Sequence, residues 1–359
     1  MSAPAGRRRR KTTFIGLLAV ADIALLAALA SGAAAPPSTS RPTVLRRDEV
    51  RSRLLATLGV DGLPSALDSL EHLAASDSLV LRDAHQLAHT LGREALTRSG
   101  SNPAILAQCR PAFASGCYHG VVEGLLRVRG RVDMAELQRM CLAAGGPGRT
   151  GAVYECAHGV GHGVLGAVGL QVPTALHHCD SLAEPVLAVS CHQGVFMEAI
   201  TVSLDPGKDH TSHGHEPHGA TAVWAIDPAD PYSPCDQYTD PYADSCWLFQ
   251  AFVILRSVGF DAGRALRVCD AAPAERVDRC YEGVGLQVAG LFQRSDAWVA
   301  TQCGMGRPER AARCASGAAL TLTAMDWSGA RVRRFCALLP RDWREQCSAA
   351  AADGLALVS

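Results

Sequence analysis

Seven close cysteine pairs, set at a regular step, constrain this chain more than any other feature. The pairs are Cys109 with Cys117, Cys141 with Cys156, Cys179 with Cys191, Cys235 with Cys246, Cys269 with Cys280, Cys303 with Cys314 and Cys336 with Cys347, and they use all fourteen cysteines. The second members of the last four pairs, Cys246, Cys280, Cys314 and Cys347, recur at steps of 34, 34 and 33 residues. An even set with none left over reads as disulfides, and so as an oxidising space outside the cytosol. Metal binding by cysteine is the competing reading. It is weak, because no CxxC or CxxCH spacing occurs and the gaps within pairs vary.

Each unit reads as a first helix, a turn and a second helix. The first cysteine lies near the end of the first helix and the second in the early turns of the next. A glycine often follows three residues on, as in Cys117-Tyr-His-Gly120, Cys156-Ala-His-Gly159, Cys191-His-Gln-Gly194, Cys280-Tyr-Glu-Gly283 and Cys314-Ala-Ser-Gly317. Glycine inside a helix costs about 1 kcal/mol relative to alanine, so its recurrence predicts close backbone packing there. Pro308 and Pro340 fit the turns between paired helices. A period near 34 residues made of helix pairs predicts an all-α solenoid of about eight hairpins, seven of them carrying an intra-repeat disulfide. The closed loops are short, so each bridge should stabilise by roughly 2–3 kcal/mol. A bridgeless capping unit precedes the series, with Ala66 to Ala75 and Val80 to Thr97 as its helices.

On period and cysteine placement, the stretch from about Pro64 to Ser359 resembles the disulfide-stapled Sel1-like and tetratricopeptide-like repeat proteins. That resemblance implies an exported helical superhelix used for binding a protein or peptide partner on its repeat surface. It implies no catalytic residue.

The N-terminus agrees with export. Arg7 to Lys11 form a basic block, and Phe14 to Ala35 are apolar apart from Asp22. About 20 apolar residues can span a bilayer with the basic block left in the cytoplasm. The favoured reading is a single-pass membrane anchor with the C-terminal part extracytoplasmic. A signal peptide cleaved near Ala33 to Ala35 is the alternative, and Pro36 disfavours it. Beyond Ala35 there are 34 acidic against 29 basic residues, a net charge of −5. No basic stripe remains, so nucleic acid is excluded as a partner. The organisation expected is a basic and apolar leader (1–35), a stalk (36–63), His-rich repeats (64–204), a His- and Pro-rich insertion (205–234) and repeats without histidine (235–359).

All thirteen histidines lie between His72 and His218, and the last 141 residues have none. The later repeats therefore act as an internal control, for the scaffold is built there without histidine. Counted from the second cysteine, the positions two and six residues on hold His119 and Glu123 in one repeat and His158 and His162 in the next. The capping unit offers His85 and His89 at the matching places. An i, i+4 pair shares one helical face, and stacked repeats set such faces side by side, about 8–10 Å apart between axes. The six side chains can then converge as ligands for one or two transition metals. Histidine dominates, which favours copper or iron and leaves zinc open. Covalent haem is disfavoured by the missing CxxCH, whereas bis-histidine haem stays open. Met197 continues the register as an additional ligand. Glu198 is turned about 100° from it and reaches the site as a proton carrier only if its helix is rotated.

His210, His213, His215 and His218 crowd the insertion and can capture transition metals. Leaving the scaffold just after the His-bearing repeats, this loop could cover their site. His177 and His178, near the end of a helix, suit its dipole and read as structural, as does His192. His72 is ambiguous. No GxSxG, P-loop or dinucleotide fingerprint occurs. The function expected is a metal-dependent oxidoreductase. Two alternatives stand beside it: a metal-binding or delivery protein without turnover, and a metal-free module for a peptide or protein.

Overall fold

The computed structural model describes residues 43–358 apart from 147–148, 205–223, 228 and 293. The leader, residues 36–42 of the stalk and the four histidines of the insertion lie outside the described residues, whereas the rest of the expected stalk, 43–63, is helical with Val50, Leu54 and Leu58 buried. The chain divides into two compact units, 1–46 and 47–359. The described residues form helices and turns, with no strand among them.

Eight hairpins follow one another. α1 (Thr43–Ser76) is broken where Gly62 takes a left-handed φ of 84° just before Pro64, and its second part is followed by α2 (Ser78–Arg98). Then come a 3-10 turn (Pro103–Gln108) with α3 (Gly116–Arg129), and α4 (Met134–Ala144) with α5 (Thr150–Ala167). They are followed by α6 (Val172–Cys179) with α7 (Pro185–Leu204), and a 3-10 turn (Cys235–Gln237) with α8 (Ala243–Ser257). The last three pairs are α9 (Ala262–Cys269) with α10 (Val277–Phe292), α11 (Asp296–Cys303) with α12 (Pro308–Met325), and α13 (Ala330–Leu338) with α14 (Arg341–Val358). Among the described residues, six of these units are the helix pairs expected. In the second and fifth hairpins, however, a 3-10 turn replaces the first helix. Cys235 of the fifth hairpin therefore sits in that turn, not near the end of a helix, while its partner Cys246 keeps the expected place in the first turn of α8. Short polar side chains start several helices: Asp77, Asp133, Asp261 and Ser295 each accept a backbone N–H of the first turn. Pro308 opens α12 and Pro340 sits just before α14, as the turn reading requires.

All seven cysteine pairs are bridged as the spacing predicts, with Cα–Cα distances of 5.3–5.6 Å. Cys109 joins Cys117, Cys141 joins Cys156 and Cys179 joins Cys191 in the first half. In the second half Cys235 joins Cys246, Cys269 joins Cys280, Cys303 joins Cys314 and Cys336 joins Cys347. The bridge from Cys336 to Cys347 ties α13 to the early turns of α14, so the last hairpin is stapled like the six before it. The second helices pack in a row: α2 on α3, α3 on α5, α5 on α7, α7 on α8, then α10, α12 and α14. The recurring glycines explain how closely they pack. A Cβ at Gly120 would overlap the carbonyl oxygen of His89, and one at Gly317 would overlap that of Glu282. Contacts advance in the same sense along both helices, since Gly116 meets His85, Gly120 meets His89 and Gly124 meets Arg93. The neighbours therefore run parallel and in fixed register. Helix α3 is buried at every residue from Gly116 to Leu126, so a polar side chain there has to find its partners inside the protein.

One departure from an open solenoid matters. Helix α14 packs against α5 as well as against α12, and Gly151 at the start of α5 lies against the indole of Trp327. Within this unit the end of the row comes back onto its own third member. Among the described residues, α7 is the helix long and apolar enough to cross a membrane, but half of that window is buried in the core.

Candidate metal centre

The parallel register brings the three i, i+4 pairs together. His85 and His89 come from α2, His119 and Glu123 from α3, and His158 and His162 from α5. Three groups of donor atoms result: His85, His89 and His119; His119, His158 and His162; and Glu123, His162 and Glu198. Within each group the donor atoms all lie within 4.8 Å of one another. His89, His119, Glu123, His162 and Glu198 are buried, while His85 and His158 keep partial exposure.

The hydrogen bonds around the rings decide where their lone pairs point. His85 Nδ1 lies 2.7 Å from the Phe113 carbonyl and His89 Nδ1 lies 2.8 Å from Glu123 Oε1. Both partners only accept, so each ring donates from Nδ1 and, when neutral, leaves a bare lone pair on Nε2. Those two Nε2 atoms face each other at 3.0 Å. His119 Nδ1 stands 3.3 Å from His89 Nε2. Similarly, His162 Nδ1 donates to Glu198 Oε2 at 2.9 Å, and its buried Nε2 has no hydrogen-bond partner.

A proton between the facing nitrogens is opposed by the surroundings. Burial, reinforced by His89, pushes the His85 imidazole down to about 3. His89 is lowered by burial despite the neighbouring Glu123 carboxylate. His119 and His158 are held well below the usual imidazole range, by burial first and by the surrounding histidines next. A metal cation relieves two facing lone pairs without adding a proton. With metal–nitrogen bonds of about 2.0–2.1 Å, imidazole nitrogens on one tetrahedral ion lie about 3.3 Å apart, close to the spacings seen.

A second layer holds the rings in place. Glu123 Oε2 takes a 2.6 Å ion pair from Arg93, and Arg93 also reaches Thr90 Oγ1. The Phe113 carbonyl is aimed by a turn in which Phe113, Ala114 and Ser115 all have positive φ, at 56°, 48° and 60°. Three successive non-glycine residues in that region store strain. The Cys109–Cys117 bridge closes the loop that contains them. Glu155 Oε2 lies 3.5 Å from His119 Nε2, and burial pushes its carboxyl up to about 7.

These contacts separate this disulfide from the others. Replacing Cys109 and Cys117 together by alanine is expected to weaken metal binding at least tenfold, the effect typical of lost outer-shell support. Replacing Cys303 and Cys314 should leave binding unchanged. Each double variant should lose about 2–3 kcal/mol of stability. Denaturant titrations and metal competition on both proteins read the two effects separately. Equal affinities would remove the turn from the account of the site.

Glu198 joins the site without any rotation of α7. Gly194, one turn earlier, packs against the His158 carbonyl, so that edge of α7 faces α5. Glu198 is on the same edge, and its counterparts in the two preceding repeats are Gly124 and Gly163. It accepts a hydrogen bond from His162, which fixes that ring's orientation. Met197 packs against the apolar core. His192 Nε2 binds Asp180 Oδ1 at 2.9 Å, and Tyr242 donates to the other oxygen of that carboxylate, a structural clamp as expected. His177 and His178 occupy the last turn of α6, and His72 is exposed on α1. His210, His213, His215 and His218 lie outside the described residues. Arg93, Glu155 and the Phe113 carbonyl were not foreseen, although Arg93 continues the 85, 89 stripe by four residues.

No family model, curated protein or solved structure matches the chain.

Proposed function

We propose that this is an exported transition-metal protein, and that its centre is a redox site for copper or iron serving an oxidoreductase. The seven disulfides support the compartment, and Phe14 to Ala35 would tether the chain to the membrane. The observation that carries the reading is the pair of Nε2 atoms of His85 and His89, fixed by their own Nδ1 bonds and facing each other at 3.0 Å. Imidazole-rich sets suit copper, iron and zinc. Three protein ligands, as at His85, His89 and His119, leave a coordination position for a substrate. Glu123 and Glu198 hold the rings, and Arg93 holds Glu123.

The burial of the ligands argues against a delivery protein, which needs an exposed and exchangeable site. It argues equally against a peptide groove, because the histidines face one another inside the helix row. The test is metal analysis of the tag-free, oxidised extracytoplasmic part, with His210, His213, His215 and His218 replaced by asparagine so that metal held there is not counted. Stoichiometric copper or iron is expected, lost in a folded His85→Ala/His89→Ala/His119→Ala variant. Zinc alone would redirect the proposal to hydrolysis. No metal after reconstitution with copper, iron, zinc and manganese would end the metal reading.

A further inference from the structure

His119 stands apart from the other rings. His85, His89 and His162 each commit Nδ1 to an oxygen acceptor and keep Nε2 for the centre. His119 makes no such bond. Its Nδ1 faces His89 Nε2 at 3.3 Å. Its buried Nε2 has no hydrogen-bond partner, and the Glu155 oxygen lies 3.5 Å away. It is also the residue common to the two all-histidine groups, which share no other member. Its ring centroid is 5.1 Å from that of His89 on one side, and 4.9 and 5.0 Å from those of His158 and His162 on the other.

The two lone-pair directions of an imidazole diverge, so an ion on one nitrogen cannot use the other. An ion held by His85, His89 and His119 Nδ1 therefore leaves the His158/His162 side unserved, with His162 Nε2 buried and unpartnered. Charge points the same way. Three carboxyl groups, Glu123, Glu155 and Glu198, surround the rings, that of Glu155 pushed up to about 7 by burial, and Arg93 pairs with Glu123.

We infer that the centre binds two metal ions that share His119, one on each ring nitrogen, with His85 and His89 completing the first set and His158 and His162 the second. The proposal rests on the metal reading above and sets its nuclearity. A neutral His119 carries one N–H. The first ion takes the free lone pair, and the second displaces that proton, so one proton per chain is released on filling the second set. The other rings present lone pairs already and release none. This geometry suits a substrate that takes up electrons from two metals at once, such as dioxygen or a peroxide.

Cu(II) is the probe, because it binds nitrogen sites most strongly among the divalent first-row metals. Copper is titrated into the full extracytoplasmic part, with the four insertion histidines replaced as above, and bound metal and spin are counted together. Two copper ions per chain are expected, with an integrated spin signal far below two because ions on one imidazole couple magnetically. A His158→Gln/His162→Gln variant should hold one copper with one full spin. So should a His85→Gln/His89→Gln variant, which guards against the first failing to fold. One copper per chain in the unmodified centre, kept in the His158→Gln/His162→Gln variant, would overturn the second ion and leave the metal reading standing. Two coppers with two full spins would overturn the shared His119. No copper at all would overturn this inference, and failure of iron, zinc and manganese to bind as well would overturn the metal reading with it.

Discussion

Replacing Glu123 by alanine is expected to destabilise the protein by about 3–5 kcal/mol and to weaken metal binding 10–100-fold. Both effects follow from one buried carboxylate serving two partners. Its Oε2 is 2.6 Å from Arg93 Nη1 and its Oε1 is 2.8 Å from His89 Nδ1. Removing one member of a buried ion pair leaves the other charge uncompensated, which is where most of the stability loss arises. The Arg93 side chain retains 16% exposure, so the lower half of the range is the better expectation. The affinity loss has a separate cause. Without its acceptor, His89 is free to turn and to move its proton to Nε2, and lost second-layer support of this kind costs 10–100-fold. A Glu123→Ala/Arg93→Ala double variant separates the two. It should regain part of the stability, since no orphaned guanidinium remains, yet keep the weakened affinity. Denaturant unfolding and a metal competition titration provide the numbers. Unchanged affinity in both variants would reduce Glu123 to a structural role.

The sequence disclosed the site's rings more readily than their supports, and the reason is geometric. His85/His89, His119/Glu123 and His158/His162 keep a period of four and a constant offset from the cysteines, and parallel helices preserve that register in space. Glu198 falls one place out of the stripe. The last site helix meets the centre with the edge that faces its predecessor, where α3 and α5 carry Gly124 and Gly163. The Phe113 carbonyl was not legible at all. It depends on a left-handed turn through Phe113, Ala114 and Ser115, residue types that carry no local preference for positive φ. The disulfide pairing followed from spacing alone, because each bridge closes a short loop between adjacent helices. The return of α14 onto α5 did not. It joins helices five hairpins apart, and no single residue announces it. The first helices of the second and fifth hairpins failed for a local reason. Pro103 and Pro111 flank one, and Pro231, Pro234 and Pro241 crowd the other, leaving room for only a 3-10 turn.

The metal-free protein is expected to lose stability in mild acid, as the pH falls from roughly 6 to roughly 4.5. The sign follows from where the protons sit. His85, at about 3 in the folded chain, and His119 and His158, held well below the ordinary value of 6.5, stay neutral when folded. In the unfolded chain each protonates near 6.5. Below that pH the unfolded state binds more protons, so stability falls as pH falls, by about 1.4 kcal/mol per unit for each such ring. Glu155 opposes them. With its folded carboxyl at about 7 against an ordinary 4.5, it binds its proton in the folded state first and offsets about one histidine across this window. His89 is lowered by burial as well, so the rings outnumber this carboxyl and stability still falls with pH. Chemical denaturation of chelator-treated protein from pH 7.5 to 4.5 gives the slope directly. A His119→Gln variant should be shallower, because glutamine does not titrate in either state. A flat profile in the unmodified protein would mean that the rings take up protons while folded. In that case the facing nitrogens of His85 and His89 would be joined by a proton rather than poised for a metal.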